Sequence, residues 1–145
     1  MGDIAKDINS KFPNEHVKAL INIKYTANWL ENIGNDFLKH AKISMQQYNI
    51  LRILRGADKA ITVNTVKERM VQKSPNATRL MDKLCDKKLL DRTRCENDRR
   101  VVYVKITNKG LQLLDTINIR EFDKNMNKIT KDEAKMLNQI LDKIR

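Results

Sequence analysis

The most constraining feature of this sequence is a change of hydrophobic period near its middle. Up to residue 88 and again after residue 107, apolar residues recur at spacings of three and four, the period of amphipathic helices. Residues 89–94 and 100–106 follow a strand pattern instead, and the polar stretch 95–99 separates them. The sequence therefore predicts a mainly α fold with one small β-hairpin whose tip is charged.

Long amphipathic helices are expected at both ends of the chain. The first follows Pro13, and its apolar stripe consists of Leu20, Ile23, Ala27, Leu30, Ile33, Phe37 and Ala41. A helix capped by Thr107 is marked by Leu111, Leu114, Ile117, Phe122 and Met126. The capping box Thr130–Glu133 opens the last helix, which carries Ala134, Leu137, Leu141 and Ile144. We expect these stripes to pack on each other and on a second copy of the chain, giving a homodimer.

Three shorter helices are expected in the centre. Ser44 and Gln47 form a capping box for the first, which ends near Gly56 and Asp58, and Thr62 or Asn64 caps the second after a short β-branched stretch. Ser74 as N-cap and Pro75 as the first helical residue predict the start of the third. The expected inner faces are Tyr48, Leu51 and Leu54, then Val66 and Met70, then Ala77, Leu80, Met81 and Leu84.

The basic charge is concentrated in the same central part. The chain has a formal net charge of +11, and residues 62–110 contain 13 Lys and Arg against 6 Asp and Glu. Such an excess indicates an acidic partner, although a solvated lysine-rich surface would also account for it. No aromatic or aliphatic face accompanies the basic residues, and no apolar run approaches the ~20 residues of a membrane span. Residues 1–14 hold no apolar signal core, so we expect a cytosolic protein without a membrane partner.

Two short helices joined by a tight turn and followed by a basic hairpin form a winged helix-turn-helix. We therefore expect a single domain that is mainly α with a small β-hairpin wing. Residues 43–109 would form the DNA-binding lobe, and residues 1–42 and 110–145 the dimerisation helices. Double-stranded DNA is the expected partner.

The third short helix would enter the major groove, where its N-terminal residues reach base edges. Asn76 can pair with adenine and Arg79 with guanine, whereas Lys83 suits a phosphate. Ser74 serves mainly as a cap, and Thr78 either contacts DNA or fills space. The candidate DNA-binding residues are Ser74, Asn76, Thr78, Arg79, Lys83, Arg94, Asp98, Arg99 and Arg100.

The hairpin tip combines Asp98 with Arg99 and Arg100. Arginine suits a narrow minor groove, where negative potential is concentrated. Asp98 repels phosphate, so we expect it to orient a neighbouring arginine through a charge-assisted hydrogen bond. The alternative is an ordinary turn aspartate.

No pattern of catalytic or metal-binding residues is visible. Cys85 and Cys95 form no CxxC pair, and His16 and His40 are far apart and not grouped with them. We expect no enzyme, cofactor or metal, and the cysteines are interpreted as packing or surface residues. The alternatives to DNA reading are a winged-helix protein-interaction module and an RNA-binding winged helix. A small-molecule effector pocket between the dimer helices and the lobe is a further hypothesis, with Tyr25, Trp29 and Tyr48 as neighbours that serve equally well as core residues.

The stretch from Ile43 to Gly110 resembles the MarR family of bacterial transcription regulators. The matching features are Ser74, the run Thr78–Leu84, Lys88–Leu90, Asn97–Arg100 and Ile106–Gly110. The resemblance implies a homodimer held by its N- and C-terminal helices, a palindromic operator and often a small ligand or oxidant that weakens DNA binding. By position, Asn76, Thr78 and Arg79 would fall on the recognition helix and Arg99 at the wing tip.

The sequence departs from this family at two places. Lys88 stands where the family often has Gly after the recognition helix, which makes a left-handed cap less favourable there. Members that sense peroxide place a cysteine near the N-terminus, whereas the first cysteine here is Cys85. No redox site is therefore carried over.

Overall fold

The computed structural model describes residues 2–117 and 124–145. Its elements in chain order are α1 (Ile4–Asp7), α2 (Glu15–Leu38), α3 (Met45–Ala57), β1 (Ile61–Thr62), α4 (Val63–Arg69), α5 (Ala77–Asp86), β2 (Leu90–Arg94), β3 (Val102–Ile106), α6 (Asn108–Thr116) and α7 (Lys131–Ile144). The strands form one antiparallel sheet in the order β1-β3-β2. The mainly helical fold with a hairpin wing is thus confirmed, and α1 is an addition that the sequence did not predict.

The core lies where α3, α4 and α5 pack against the sheet and α6 packs against α3. The expected inner residues of the central helices are there, although Tyr48 and Leu80 are only half-buried. The largest side chains with almost no exposure are Ile50, Leu51, Leu54, Val66, Met81, Leu84, Leu90 and Val104. This core fixes α5 and the hairpin relative to each other.

Side-chain caps determine where several helices begin. Both predicted capping boxes are formed, by Ser44 with Gln47 on α3 and by Thr130 with Glu133 on α7. Thr62, rather than Asn64, caps α4 by accepting from the backbone N–H of Thr65 at 3.1 Å. These short-range signals were readable because each needs only residues three positions apart.

The regular part of α5 begins two residues later than predicted. Ser74 Oγ accepts from the backbone N–H of Asn76 at 3.2 Å, and Ser74 O accepts from that of Ala77 at 3.2 Å. These bonds close a turn with Asn76 at φ −92° and ψ 12°, a conformation that ends a turn rather than propagates a helix. Ser74 therefore stabilises the turn leading into α5, with Pro75 inside that turn and Asn76 at the N-cap.

The helix predicted from Thr107 as far as Met126 is wrong in its length. It ends at Thr116, because Ile117 is extended and its N–H donates to Leu114 O at 3.2 Å. The Thr116 hydroxyl donates to Leu113 O at 2.7 Å, a local bond that competes with helix continuation. Phe122, the next expected marker, lies outside the described residues.

Apolar stripes of the terminal helices lie on the surface of the single chain. Leu20 and Ile23 of α2 are exposed, Leu20 by 60%. None of the residues of α7, all of which the structure describes, is buried, and Ile140 is 50% exposed. Although α2 has 24 residues, no described helix is long and apolar enough to cross a membrane. The predicted Ala41 lies beyond the end of α2.

Candidate nucleic-acid interface

Helix α5 has one buried and one polar face. Ala77, Met81 and Leu84 are buried. Asn76, just before the helix, together with Arg79 and Lys83 lies exposed at spacings of three and four residues. The outward face is therefore polar and basic, as the sequence predicted.

Helix α3 holds α5 and the preceding turn with side-chain hydrogen bonds. The buried Gln47 donates from Nε2 to Leu80 O at 3.3 Å, inside α5. Gln46 Nε2 donates to Gln72 Oε1 at 3.0 Å, and Asn49 Oδ1 accepts from the backbone N–H of Val71 at 3.1 Å. Sequence reasoning missed these roles, for which the only signal was three amide side chains in the first two turns of α3.

The wing tip is a tight turn built on Asp98. Its Oδ1 accepts from the backbone N–H of Arg100 at 2.9 Å, and its carbonyl accepts from that of Val101 at 2.9 Å. In the described part of the chain no ion pair joins Asp98 to an arginine side chain, so the expected charge-assisted bond is wrong and the turn interpretation holds. The turn leaves Arg99 and Arg100 exposed, and Arg94 is exposed at the end of β2.

An ion pair joins the wing to α5. Arg92 Nη1 of β2 contacts Asp82 Oδ1 on α5, and 27% of the Arg92 side chain is exposed. Because Asp82 is paired, its negative charge on the polar side of α5 is neutralised. Sequence reasoning did not single out Arg92, since its partner lies ten positions away on another element.

A groove of 320 Å³ separates α4, α5 and the wing. Its lining residues are Thr62, Val63, Asn64, Lys67, Thr78, Arg92, Arg100, Val101 and Val102. Three of them are cationic, and none of these described lining residues is acidic. The groove brings Thr78 and Arg100 together and adds Lys67, which the sequence marked only as part of the basic central stretch.

A larger cavity of 460 Å³ lies between α2, α3 and the turn before α5. It is lined by Leu30, Glu31, Met45, Gln46, Tyr48, Asn49, Arg52, Met70, Val71 and Gln72. Arg52 donates to Tyr48 Oη at 3.0 Å, with the guanidinium 5.8 Å from the centre of the Tyr48 ring. Tyr48 thus stands in the wall, whereas Tyr25 and Trp29 are exposed on α2. Cys85 and Cys95 are half-buried, free thiols.

Comparisons with a family model, with related sequences and with solved structures all point to transcription regulators. Residues 33–117 match the family model for the transcriptional regulator SarA/Rot. The HTH-type transcriptional regulator MhqR of Bacillus subtilis (strain 168) is 31% identical over 80 residues, which are 53% of this chain. This match spans 55% of the length of MhqR.

Solved structures share the fold. A MarR transcription factor from Planctomyces limnophilus is 29% identical, with a TM-score of 0.70 over 91% of this chain and 98% of that one. A mutant MarR from E. coli, solved with operator DNA, is 23% identical, with a TM-score of 0.73 over 99% of each chain. The resemblance to the MarR family is confirmed. This chain belongs to the SarA/Rot family of transcriptional regulators, which have a MarR-like winged helix.

Proposed function

We propose that this protein is a repressor that binds a palindromic operator in double-stranded DNA as a homodimer and is released by a small-molecule ligand. The observation that carries the proposal is the exposed polar face of α5, which the Arg92–Asp82 pair ties to an arginine-tipped wing. A helix of this kind fits the major groove, while the wing reaches along the adjacent backbone or minor groove.

The proposed contacts divide into two kinds. Asn76 and Arg79 read bases, because their side chains match the donor and acceptor pattern of adenine and guanine. The phosphate and minor-groove contacts are Ser74, Thr78, Lys83, Arg94, Arg99 and Arg100, to which the basic groove adds Lys67. Asp98 contributes by shaping the turn that presents the two arginines.

The dimer follows from the exposed apolar stripes of α2 and α7. A single chain would leave Leu20, Ile23, Leu137 and Ile140 in water, and pairing about a two-fold axis would cover them. Two copies of α5 would then face two half-sites, which makes the operator palindromic. Residues 1–42 and 110–145 would form this frame and residues 43–109 the DNA-binding lobe.

The ligand would occupy the 460 Å³ cavity, whose volume suits a small organic molecule. Its walls include Val71 and Gln72, which form the turn before α5 and are held by Asn49 and Gln46. A ligand that displaced these bonds would shift α5 and weaken DNA binding. Tyr48, which stands in the wall, would contact the ligand, whereas Tyr25 and Trp29 are exposed on α2 and are not among the residues that line the cavity.

Selection of bound sequences from random duplex DNA tests the DNA-binding part of the proposal. We expect a two-fold symmetric motif, and affinity that falls steeply with salt as phosphate contacts release counterions. Equal binding of all duplexes at low salt, or preference for RNA over duplex DNA in competition, would contradict it. No duplex binding at all would favour a protein-interaction module.

A further inference from the structure

The segment that follows α5 is held by the start of α6 through three successive carbonyls. Lys87 O accepts from Lys109 Nζ at 3.0 Å, Lys88 O accepts from the Thr107 hydroxyl at 2.8 Å, and Leu89 O accepts from the Thr107 N–H at 3.1 Å. Thr107, the N-cap of α6, and Lys109, in its first turn, thus bond to the carbonyls of the segment that follows α5.

The backbone geometry makes this contact possible. Lys88 has φ 59°, its N–H donates to Cys85 O, and the Leu89 N–H donates to Leu84 O, which together form a Schellman motif. On the other side, a Cβ added to Gly110 would lie 2.3 Å from Leu89 O. The backbone of α6 therefore lies directly against Leu89.

The same end of α5 is also bonded to a second segment of the chain. Lys87 Nζ donates to Lys42 O, in the segment that follows α2. Consequently, the end of α5 is bonded both to the segment after α2 and to the start of α6. In the proposed dimer, these are the connections from the lobe to the dimerisation helices.

We propose that Lys87, Thr107 and Lys109 form a latch that sets the direction of α5 relative to the dimer frame, and so fixes the half-site spacing that the dimer accepts. The inference rests on the proposed operator-binding dimer. A two-fold dimer places its recognition helices about one DNA turn apart, so a change in their direction changes the spacing they match. None of the three lies on the polar face of α5 or at the wing tip, so the latch acts by positioning.

Lys109 is the residue whose substitution tests the latch most specifically. Thr107 also caps α6 by accepting from the Gly110 N–H at 3.0 Å, so its loss would weaken the helix itself. Lys109 is exposed, and its ammonium bridges to a carbonyl 22 positions away. Lys109→Met keeps the apolar stem and removes the donor. Lys109→Arg restores a cationic donor, and Lys105→Met removes the same charge from an exposed position of β3 outside the latch.

The experiment measures the affinity of the full chain for the selected operator, for versions with the half-sites moved by one or two base pairs, and for a single half-site. Wild type should prefer one spacing sharply. In Lys109→Met the preference for that spacing should fall by about tenfold, which corresponds to the loss of one charged hydrogen bond. The affinity for a single half-site should stay unchanged. Lys109→Arg should recover the preference, and Lys105→Met should retain it.

The outcomes separate the latch from the proposed function. If Lys109→Met weakens every duplex equally and keeps the wild-type spacing preference, the latch is refuted and the operator-binding dimer stands. If wild type itself selects no paired half-sites, the dimeric function fails and the latch falls with it. Lys87→Met removes the bond to Lys42 O independently and should broaden the spacing preference in the same way. Thermal unfolding of each variant identifies losses that come from misfolding.

Discussion

At the scale of single residues, Lys88 holds a backbone conformation that glycine adopts at lower energy. Its φ of 59° lies in the left-handed region, where a Cβ costs about 1–2 kcal/mol. The conformation persists because the Schellman hydrogen bonds at the end of α5 require it. The sequence indicated that a left-handed conformation is unfavourable for lysine at this position. It could not show that the Schellman hydrogen bonds outweigh this cost.

Lys88→Gly should raise the free energy of unfolding by about 1 kcal/mol, because the left-handed strain disappears. The extra freedom of glycine in the unfolded chain offsets only part of this gain. Asp86→Gly, two residues earlier and the last residue of α5, is the matched control and should lower the free energy of unfolding by only a few tenths of a kcal/mol, roughly the difference in helix propensity between Asp and Gly. Thermal or urea unfolding measures both. A lower melting temperature for Lys88→Gly would contradict the left-handed assignment.

Two glycines should respond in opposite ways to the same substitution. A methyl group at Gly110 would lie 2.3 Å from Leu89 O and 2.7 Å from Ile106 Cγ1, so Gly110→Ala should destabilise the protein by about 1–3 kcal/mol. Gly56, inside α3, has no atom within 4 Å of its added Cβ, and Gly56→Ala should stabilise by up to about 1 kcal/mol. Equal melting temperatures in the two variants would show that α6 does not lie against residue 89 as described.

At the scale of elements, α5 and the wing are held together by their shared core and by the ion pair between Arg92 and Asp82. Residues on α5 should nevertheless differ in what they contribute to DNA binding. Asn76 stands at the start of α5, where side chains reach base edges, whereas Lys83 lies two turns further along.

Asn76→Ala should cost about 1–3 kcal/mol on the selected operator and much less on random duplex, because a base contact carries sequence information. Lys83→Ala should weaken both duplexes by a similar factor and reduce the salt dependence, as the loss of a phosphate contact does. Titrations at several salt concentrations distinguish the two patterns. Parallel losses for Asn76→Ala on both duplexes would remove its role in base reading.

Element boundaries could be predicted where the signal is local and only partly elsewhere. The capping boxes at Ser44 and Thr130 were predicted because both partners lie within four residues. The start of α5 was displaced because the Ser74 hydroxyl supports a turn as readily as a cap. Helix α6 ends at Thr116 because Ile117 is extended, and apolar spacing carries no sign of that end.

At the scale of the whole molecule, the sequence predicted the polar face of α5 and the arginines of the wing but not the interactions that connect them. Arg92 with Asp82 and Lys109 with Lys87 O join elements that are distant in the chain. No periodicity encodes such pairs, because they depend on how the elements pack. The exposed stripes of α2 and α7, in contrast, follow directly from helical spacing.

The exposed apolar stripes of the terminal helices should be required for assembly of the dimer. Leu137 is 43% exposed on α7, so a charge there is well tolerated by the single chain but not by an apolar interface between two copies. Leu137→Glu should raise the dissociation constant of the dimer by about 100-fold or more, because the two-fold axis introduces the change twice and each leucine contributes roughly 1.5–3 kcal/mol when buried. Asn138→Glu adds the same charge at the next, already polar position and should leave assembly close to wild type. Sedimentation across a range of protein concentrations measures both, and an unchanged dimer in Leu137→Glu would exclude α7 from the interface.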